Sequence, residues 1–172
     1  MATAQEIYDG LIARGVPHYA ALGAVQGMSA ESNLNPGINE IAPVVAGSRG
    51  GYGLNQWTGP RRRQYEAFAQ SQGKPVDDLG TQLDFTVWEL QNTERSAADA
   101  LYSAPDAETA AKIYETKFLR PGIPHGGRGQ GATNALAANT QSSPQNALAA
   151  PQAASQPMWQ YNALQLTPFR MT

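Results

Sequence analysis

Residues 18–30 read HYAALGAVQGMSA, a run of small and apolar residues with no acidic side chain, lysine or arginine. A helix that lacks a polar face has to be surrounded by other elements rather than laid on a surface. Pro17 suits its first turn, and Asn35-Pro36 stops the chain soon after its end. The sequence therefore predicts a buried helix over about 17–31, with an ionisable carboxyl, Glu31, on its last turn. Gly23 and Gly27 lie on the same side of that helix as Glu31, two turns and one turn back. Each interior glycine costs about 1 kcal/mol of helix stability relative to alanine. Two of them in line with one carboxyl point to a need for space, or for close backbone approach, on that face.

Apolar spacing predicts further helices. Ala4, Ile7, Tyr8, Leu11 and Ile12 mark one before Gly15. Residues 58–73 read as a short helix with Thr58 or Gly59 as cap and Gly73 as its end. Asp77 or Asp78 opens the next, with Leu79, Leu83, Val87 and Leu90 on its inner face, and a weaker helix covers 94–102. Asp106 starts the last, with Ala107, Ala110, Ala111, Tyr114 and Phe118 on one side and Pro121-Gly122 as the stop. The glycines and β-branched residues of 37–57 predict a small β-hairpin or irregular β region. The expected fold class is α+β, mainly α, in a domain over residues 1–128.

From about Gly129 the chain contains no Asp, Glu or Lys and one arginine, Arg170, amid Ala, Gln, Asn, Ser and Pro. Such a segment buries too little apolar surface to offset its chain entropy. Residues 129–172 are therefore expected as an extended low-complexity tail. Met158, Trp159, Tyr161, Leu164, Leu166 and Phe169 form a hydrophobic peptide at about 158–169 that suits docking on a partner protein.

A helical side chain leans toward the N-terminus, which lays Glu31 over Met28 and Gly27. A carboxyl on apolar surface loses hydration in its charged form, so its pKa is expected to rise, and a carboxyl still protonated near neutrality can act as a general acid. The other reading is a solvated helix end, with glycines that merely let two helices pack. This helix alone does not choose between them.

The residues that follow do add a choice. AESNLNP, a variable span and then GYGLNQWTGPRR supply Glu31-Ser32, Asn35-Pro36 and Gly53-Leu54-Asn55-Gln56 in order. That set is similar to soluble lytic transglycosylases and goose-type lysozymes. With Gln56-Trp57, the basic run Arg61-Arg62-Arg63 and the later FLRPGIPHGGRG, it more closely resembles the phage tail lysozyme family. The resemblance covers roughly residues 5–128 and implies a lysozyme-like domain that cleaves the β-1,4 bond between N-acetylmuramic acid and N-acetylglucosamine. It places Glu31 as the proton donor to the glycosidic oxygen of an oxocarbenium-forming reaction. Gln56, with Asn55, Tyr52 and Ser32, would bind the sugars. Trp57 is either a flat face for a sugar ring or a core residue. Glu40 is either a second carboxylate that positions water or an exposed loop residue. Tyr114 falls roughly where transglycosylases keep a cleft tyrosine, and is held as core. Hydrolysis and 1,6-anhydro formation both stay open.

Other chemistries are disfavoured. The chain has no cysteine, which excludes disulfides, thiol nucleophiles and thiolate metal sites. His18 and His125 do not have zinc-ligand spacing, and no metal or cofactor is called for. Twelve basic against fourteen acidic residues, a net charge of −2, argue against a dedicated nucleic-acid binder and a polybasic membrane anchor. No apolar run approaches the ~20 residues of a membrane span. Arg61, Arg62 and Arg63 read as a solvated first turn, although cations there oppose the helix dipole. The N-terminal MATAQEIYDG has no signal-peptide character. The expectation is a protein made in the host cytoplasm and carried to the wall in a phage virion, where it lets the tail or genome pass. Its partners would be bacterial peptidoglycan and other virion proteins, the latter through residues 130–172. A non-catalytic structural or glycan-binding virion protein and a free endolysin are the alternatives.

Overall fold

The computed structural model describes residues 1–43, 45–122, 126 and 129–141. Thr3 begins the first helix, α1 (Ala4–Ala13), with a capping box: its hydroxyl accepts from the Glu6 N–H, and the Glu6 carboxylate accepts from the Thr3 N–H at 2.8 Å. The uncharged run forms α2 (His18–Ser32), buried at Ala20 through Val25 and again at Gly27 and Met28. It ends where Asn33 and Leu34 both take left-handed conformations (φ 51° and 58°), which turn the chain sharply away. Thr58 precedes α3 (Gly59–Ser71), Asp78 caps α4 (Leu79–Gln91) through the Thr81 N–H, and α5 (Arg95–Tyr102) follows. Asp106 caps α6 (Ala107–Ile113), which widens at once into a π-helical segment, Tyr114–Leu119.

Within the compact unit Met1–Asn139, α1, α5, α6 and the π-helical segment all pack on α2. The two glycines set the closeness of that packing. A Cβ on Gly23 would lie 2.6 Å from the main chain of Ala110 and Ala111, so α2 and α6 meet backbone to backbone. A Cβ on Gly27 would lie 2.6 Å from the Tyr114 ring and 2.9 Å from Leu119. Ile7, Leu11, Val25, Met28, Leu83, Leu101, Tyr114 and Phe118 are fully enclosed in this main core. A second, aromatic core sits between α3 and α4, where Trp57 stacks on Tyr65 at 4.6 Å and both rings abut Phe85.

The expected hairpin is not formed. Among the described residues, 37–57 make only single antiparallel bridges, Asn39 with Tyr52 and Tyr52 with Trp57. The physical reason is that side chains, rather than a neighbouring strand, take up the backbone groups. The Glu40 carboxylate accepts from the Gly51 N–H at 2.9 Å, the buried Gln82 amide accepts from the Leu54 N–H at 2.8 Å, and Arg62 donates to the carbonyls of Arg49 and Gly50. Gly50, Gly53 and Gln56 at positive φ then fold the segment on itself.

Helical structure continues past residue 128. Residues 130–141 form a seventh helix, α7 (Gln130–Gln141), within what composition marks as tail. Leu136 is buried in the main core, the Thr133 hydroxyl reaches the Gln26 side chain at 3.3 Å, and Gly129, at φ 89°, presses on the α2 backbone. Leu136, the buried Thr133, the core-packed Ala132 and the glycine contact dock a helix that carries no charge, and composition does not weigh single positions. The docking peptide expected at 158–169, and His125, lie outside the described residues.

Two predictions follow from this packing. Gly23→Ala should destabilise the domain by about 1–3 kcal/mol in denaturant titration, because the overpacking cost against α6 exceeds alanine's propensity gain of about 1 kcal/mol. Gly131→Ala, on α7 with nothing near its Cβ position, should be neutral or stabilising. The second concerns pH. The hydrogen bonds from Thr81 lower the pKa of Asp78, those from Thr109 lower Asp106, and the Arg120 guanidinium lowers Glu94. A depressed folded-state pKa means stability that is fully present above the ordinary carboxylate values of about 4 and lost as pH falls through the lower folded-state values. Melting temperatures should therefore drop below about pH 4, and Asp78→Asn should flatten that slope while keeping a cap.

Candidate functional site

A cleft of about 420 Å³ opens where three pieces of chain meet. Ala30 and Glu31 supply the end of α2; Glu40, Gly51, Asn55, Gln56 and Thr58 supply the irregular segment; Leu119, Arg120 and Pro121 supply the exit of the π-helical segment. Glu31 is half-buried at the point where α2 ends. The Glu40 carboxylate is held in the cleft by the Gly51 N–H, and the two residues also pair through their main chains at 2.8 Å. Gln56 has its backbone in the left-handed region, and its amide folds back to donate to the Gly53 carbonyl at 2.9 Å. A Cβ on Gly51 would come within 2.7 Å of the Gln56 amide oxygen, so this position needs glycine to seat Gln56.

Asn55 anchors the segment to the core. Its side-chain oxygen accepts from the Tyr114 hydroxyl at 2.8 Å, and its amide nitrogen donates to the Thr86 hydroxyl at 2.9 Å, which in turn donates to the Gln82 carbonyl. Burial above all, and then the negative charge of Glu89, push the Tyr114 phenol well above its ordinary pKa, with Glu31 acting in the same sense and Arg61 against it. Tyr114 therefore stays a proton donor to Asn55, and Glu31, Arg61 and Glu89 all lie within electrostatic reach of it.

Under the cleft Glu89, fully buried on α4, receives three hydrogen bonds. Two come from Arg61, at 2.7 and 2.9 Å, and one from the Trp57 indole at 2.8 Å. Arg61 also donates to the Phe118 carbonyl and lies 4.8 Å over the Phe118 ring. Arg120 is held by Glu94 through two hydrogen bonds, at 2.7 and 2.9 Å. These pairs tie α3, α4, α5 and the π-helical segment together at the site.

Of the residues singled out in the sequence, Glu31, Glu40, Asn55 and Gln56 share the cleft, and Ser32, Tyr52 and Trp57 do not line it. Ser32 is buried and returns its hydroxyl to the Met28 carbonyl. Trp57 is 1% exposed, so it belongs to the aromatic core and offers no face to a sugar. Tyr52 is half-buried on that core, 5.1 Å from the Arg62 guanidinium. Tyr114 is a core residue, as its spacing predicts, and reaches the site only through Asn55. The basic run is not a solvated turn: Arg61 is tied to the buried Glu89, Arg62 is itself buried and bonded to Glu66 and to the Arg49 and Gly50 carbonyls, and only Arg63 is exposed. Sequence reading missed Glu89 and the cleft positions of Arg61 and Arg120. A lone carboxyl on the inner face of an apolar helix (Phe85, Glu89) and cations misplaced at a helix start were signals that the two groups need each other. Among the described residues, no group of three or more His, Asp or Glu side chains could hold a metal ion, and no helix is long and apolar enough to cross a membrane.

Comparison with known proteins gives two results. Residues 2–139 match the family described as phage tail lysozyme, a span that takes in all seven helices up to the last turn of α7. The chain is also 30% identical over 129 residues, 71% of its own length, to "Morphogenesis protein 1" of Bacillus phage B103, and it spans 34% of that protein's length. The cleft lined by Glu31 at the end of a buried helix, by Gln56 and by Arg120-Pro121 thus lies wholly within the matched span: the chain belongs to the phage tail lysozyme family.

Proposed function

We propose that this protein is a peptidoglycan-cleaving glycosidase carried by a phage particle, acting on the β-1,4 bond between N-acetylmuramic acid and N-acetylglucosamine. The observation that carries the reading is that Glu31, at the terminus of α2, shares one open cleft with Glu40 and Gln56 in a chain of this family. Glycosidic cleavage needs a positioned proton for the leaving oxygen while positive charge develops on the sugar. Glu31 gives that proton. Gln56 lines the sugar path, and Arg61, fixed against Glu89, holds the opposite wall in place. Glu40, on the same cleft, is the group that would position water; without that contribution the substrate's own hydroxyl or acetamido group intercepts the cation and an anhydro product forms. Residues 142–172 would attach the enzyme to the other virion proteins. The name of the relative, a morphogenesis protein, supports a place in the particle and also favours a second reading, in which the domain builds the virion and binds glycan without cutting it.

Clearing of a purified peptidoglycan suspension tests this. Glu31→Gln should lower the initial rate at least ~100-fold with an unchanged melting temperature. Equal clearing by both proteins would remove Glu31 from the mechanism, and glycan binding without release of soluble fragments by either would favour the second reading. Mass spectrometry of the products assigns the role of Glu40: water-added fragments that turn to anhydro fragments in Glu40→Gln make it the water-positioning group, and anhydro fragments from the parent protein exclude that role.

A further inference from the structure

Beside the cleft lies a second depression, of about 210 Å³, lined by Ser48, Arg49, Gly50, Gly59, Arg62 and Arg63 among others. The two hollows are separated by one ridge of chain. Gly50, Gly59 and Arg62 face the depression, and their neighbours Gly51, Thr58 and Arg61 line the cleft.

Their charges are opposite in kind. The cleft is lined by the carboxyl groups of Glu31 and Glu40 and by Arg61 and Arg120, whose guanidinium groups are already neutralised by Glu89 and Glu94. The depression is walled by three guanidinium groups, and Glu66, the carboxylate paired with two of them, does not line it. Arg49 grips Glu66 at 2.9 and 2.6 Å, and Arg62 donates to it at 3.0 Å, so three cations against one anion leave a local excess of two positive charges. Arg62 is fixed further by the carbonyls of Arg49 and Gly50 and is 8% exposed. Arg63 is exposed and makes no ion pair among the described residues. Arg62 is thus fixed by the fold, Arg49 is paired with Glu66 at the surface, and Arg63 is available to a ligand.

We propose that this depression is an anion subsite for a carboxylate of the peptide stem carried by the glycan strand in the cleft. The inference rests on the glycan reading of the cleft. Muramic acid residues bear lactyl-linked peptides with ionised carboxylates, so the polymer is charged at intervals along one side. A stem directed over the cleft meets the Glu40 carboxylate; a stem directed over the depression meets Arg63 and the Arg49 side chain beside it. Complementarity of this kind orients a chain and selects its register more than it adds raw affinity. It makes stem-bearing peptidoglycan, rather than bare glycan, the preferred substrate class.

The test is co-sedimentation of the full chain, in the Glu31→Gln background so that the polymer survives. One polymer is peptidoglycan freed of phosphodiester-linked wall polymers by acid; the other is the same material with its stems removed by an amidase and the lactyl carboxylates so exposed capped as neutral methylamides. On stem-bearing polymer Arg63→Ala should weaken binding about twofold to fivefold, the range of an exposed ion pair, and Arg63→Glu should weaken it further. The difference should shrink with added salt. On the stripped glycan the parent and both variants should bind alike. Unchanged binding of the variants to stem-bearing polymer, or an equal loss on both polymers, overturns the subsite and leaves the glycan reading standing. A loss seen only on walls that keep their phosphodiester polymers overturns the carboxylate assignment in favour of phosphate. If the parent sediments with neither polymer, the glycan reading fails and this inference with it.

Discussion

The contact on which the site depends is the one between the α2 backbone at Gly23 and the α6 backbone at Ala110 and Ala111. With no side chain between them the two helices lie closer than ordinary residues permit, and Gly27, one turn on, accepts the Tyr114 ring. The chain beyond α6 then widens into π-helical turns, which keep Tyr114 and Phe118 stacked at 4.7 Å on the inside and bring Arg120 out at the cleft edge. Tyr114 passes the register to Asn55, and Asn55 sets the segment that carries Gln56. A carboxyl at the end of α2 and an amide on an irregular loop are in this way referred to one backbone contact two turns before Glu31.

The floor of the site is polar in a place where apolar packing would be simpler. A buried ion pair such as Arg61 with Glu89 recovers its desolvation cost only when geometry and extra hydrogen bonds are good, and here the carboxylate receives three donors and the guanidinium also takes the Phe118 carbonyl. Together those bonds join α3, α4, Trp57 and the π-helical segment, so the pair selects one arrangement of them. Gln82 does similar work for the irregular segment, accepting from the Leu54 N–H and donating to the carbonyls of Pro36 and Val76. Loops without a sheet to pair with are held by side chains, and that is how a segment with almost no strand can still present residues in defined positions.

The helices were legible in the sequence because their signals are local. Asp78 and Asp106 cap where their spacing from the first apolar residues says they should, and Ile7, Leu11, Leu83 and Leu90 turn inward at the 3.6-residue period. The hairpin was misjudged because glycine and β-branched residues describe a preference, whereas the partners of 37–57 are Gln82 and Arg62, distant in sequence. Helix α7 was missed for the reverse reason: its composition is polar, and what docks it is Leu136 and the absence of a Cβ at Gly129. The same limit applied to Trp57, whose aromatic face suits a sugar or a core equally well until Tyr65 and Phe85 are seen to cover it.

The sequence by itself determined a buried, charge-free helix ending in a carboxyl, the order of the helices that surround it, and the family motifs that name the domain, because periodicity, capping and glycine placement act over a few residues. Only the tertiary structure decided that Glu31, Glu40, Asn55 and Gln56 meet in one cleft, that Ser32 and Trp57 turn inward, and that two of three consecutive arginines are taken up by ion pairs with Glu89 and Glu66. Those outcomes depend on which side chains reach across from elements dozens of residues away to satisfy a buried charge or an unpaired amide, and no local pattern encodes that distance.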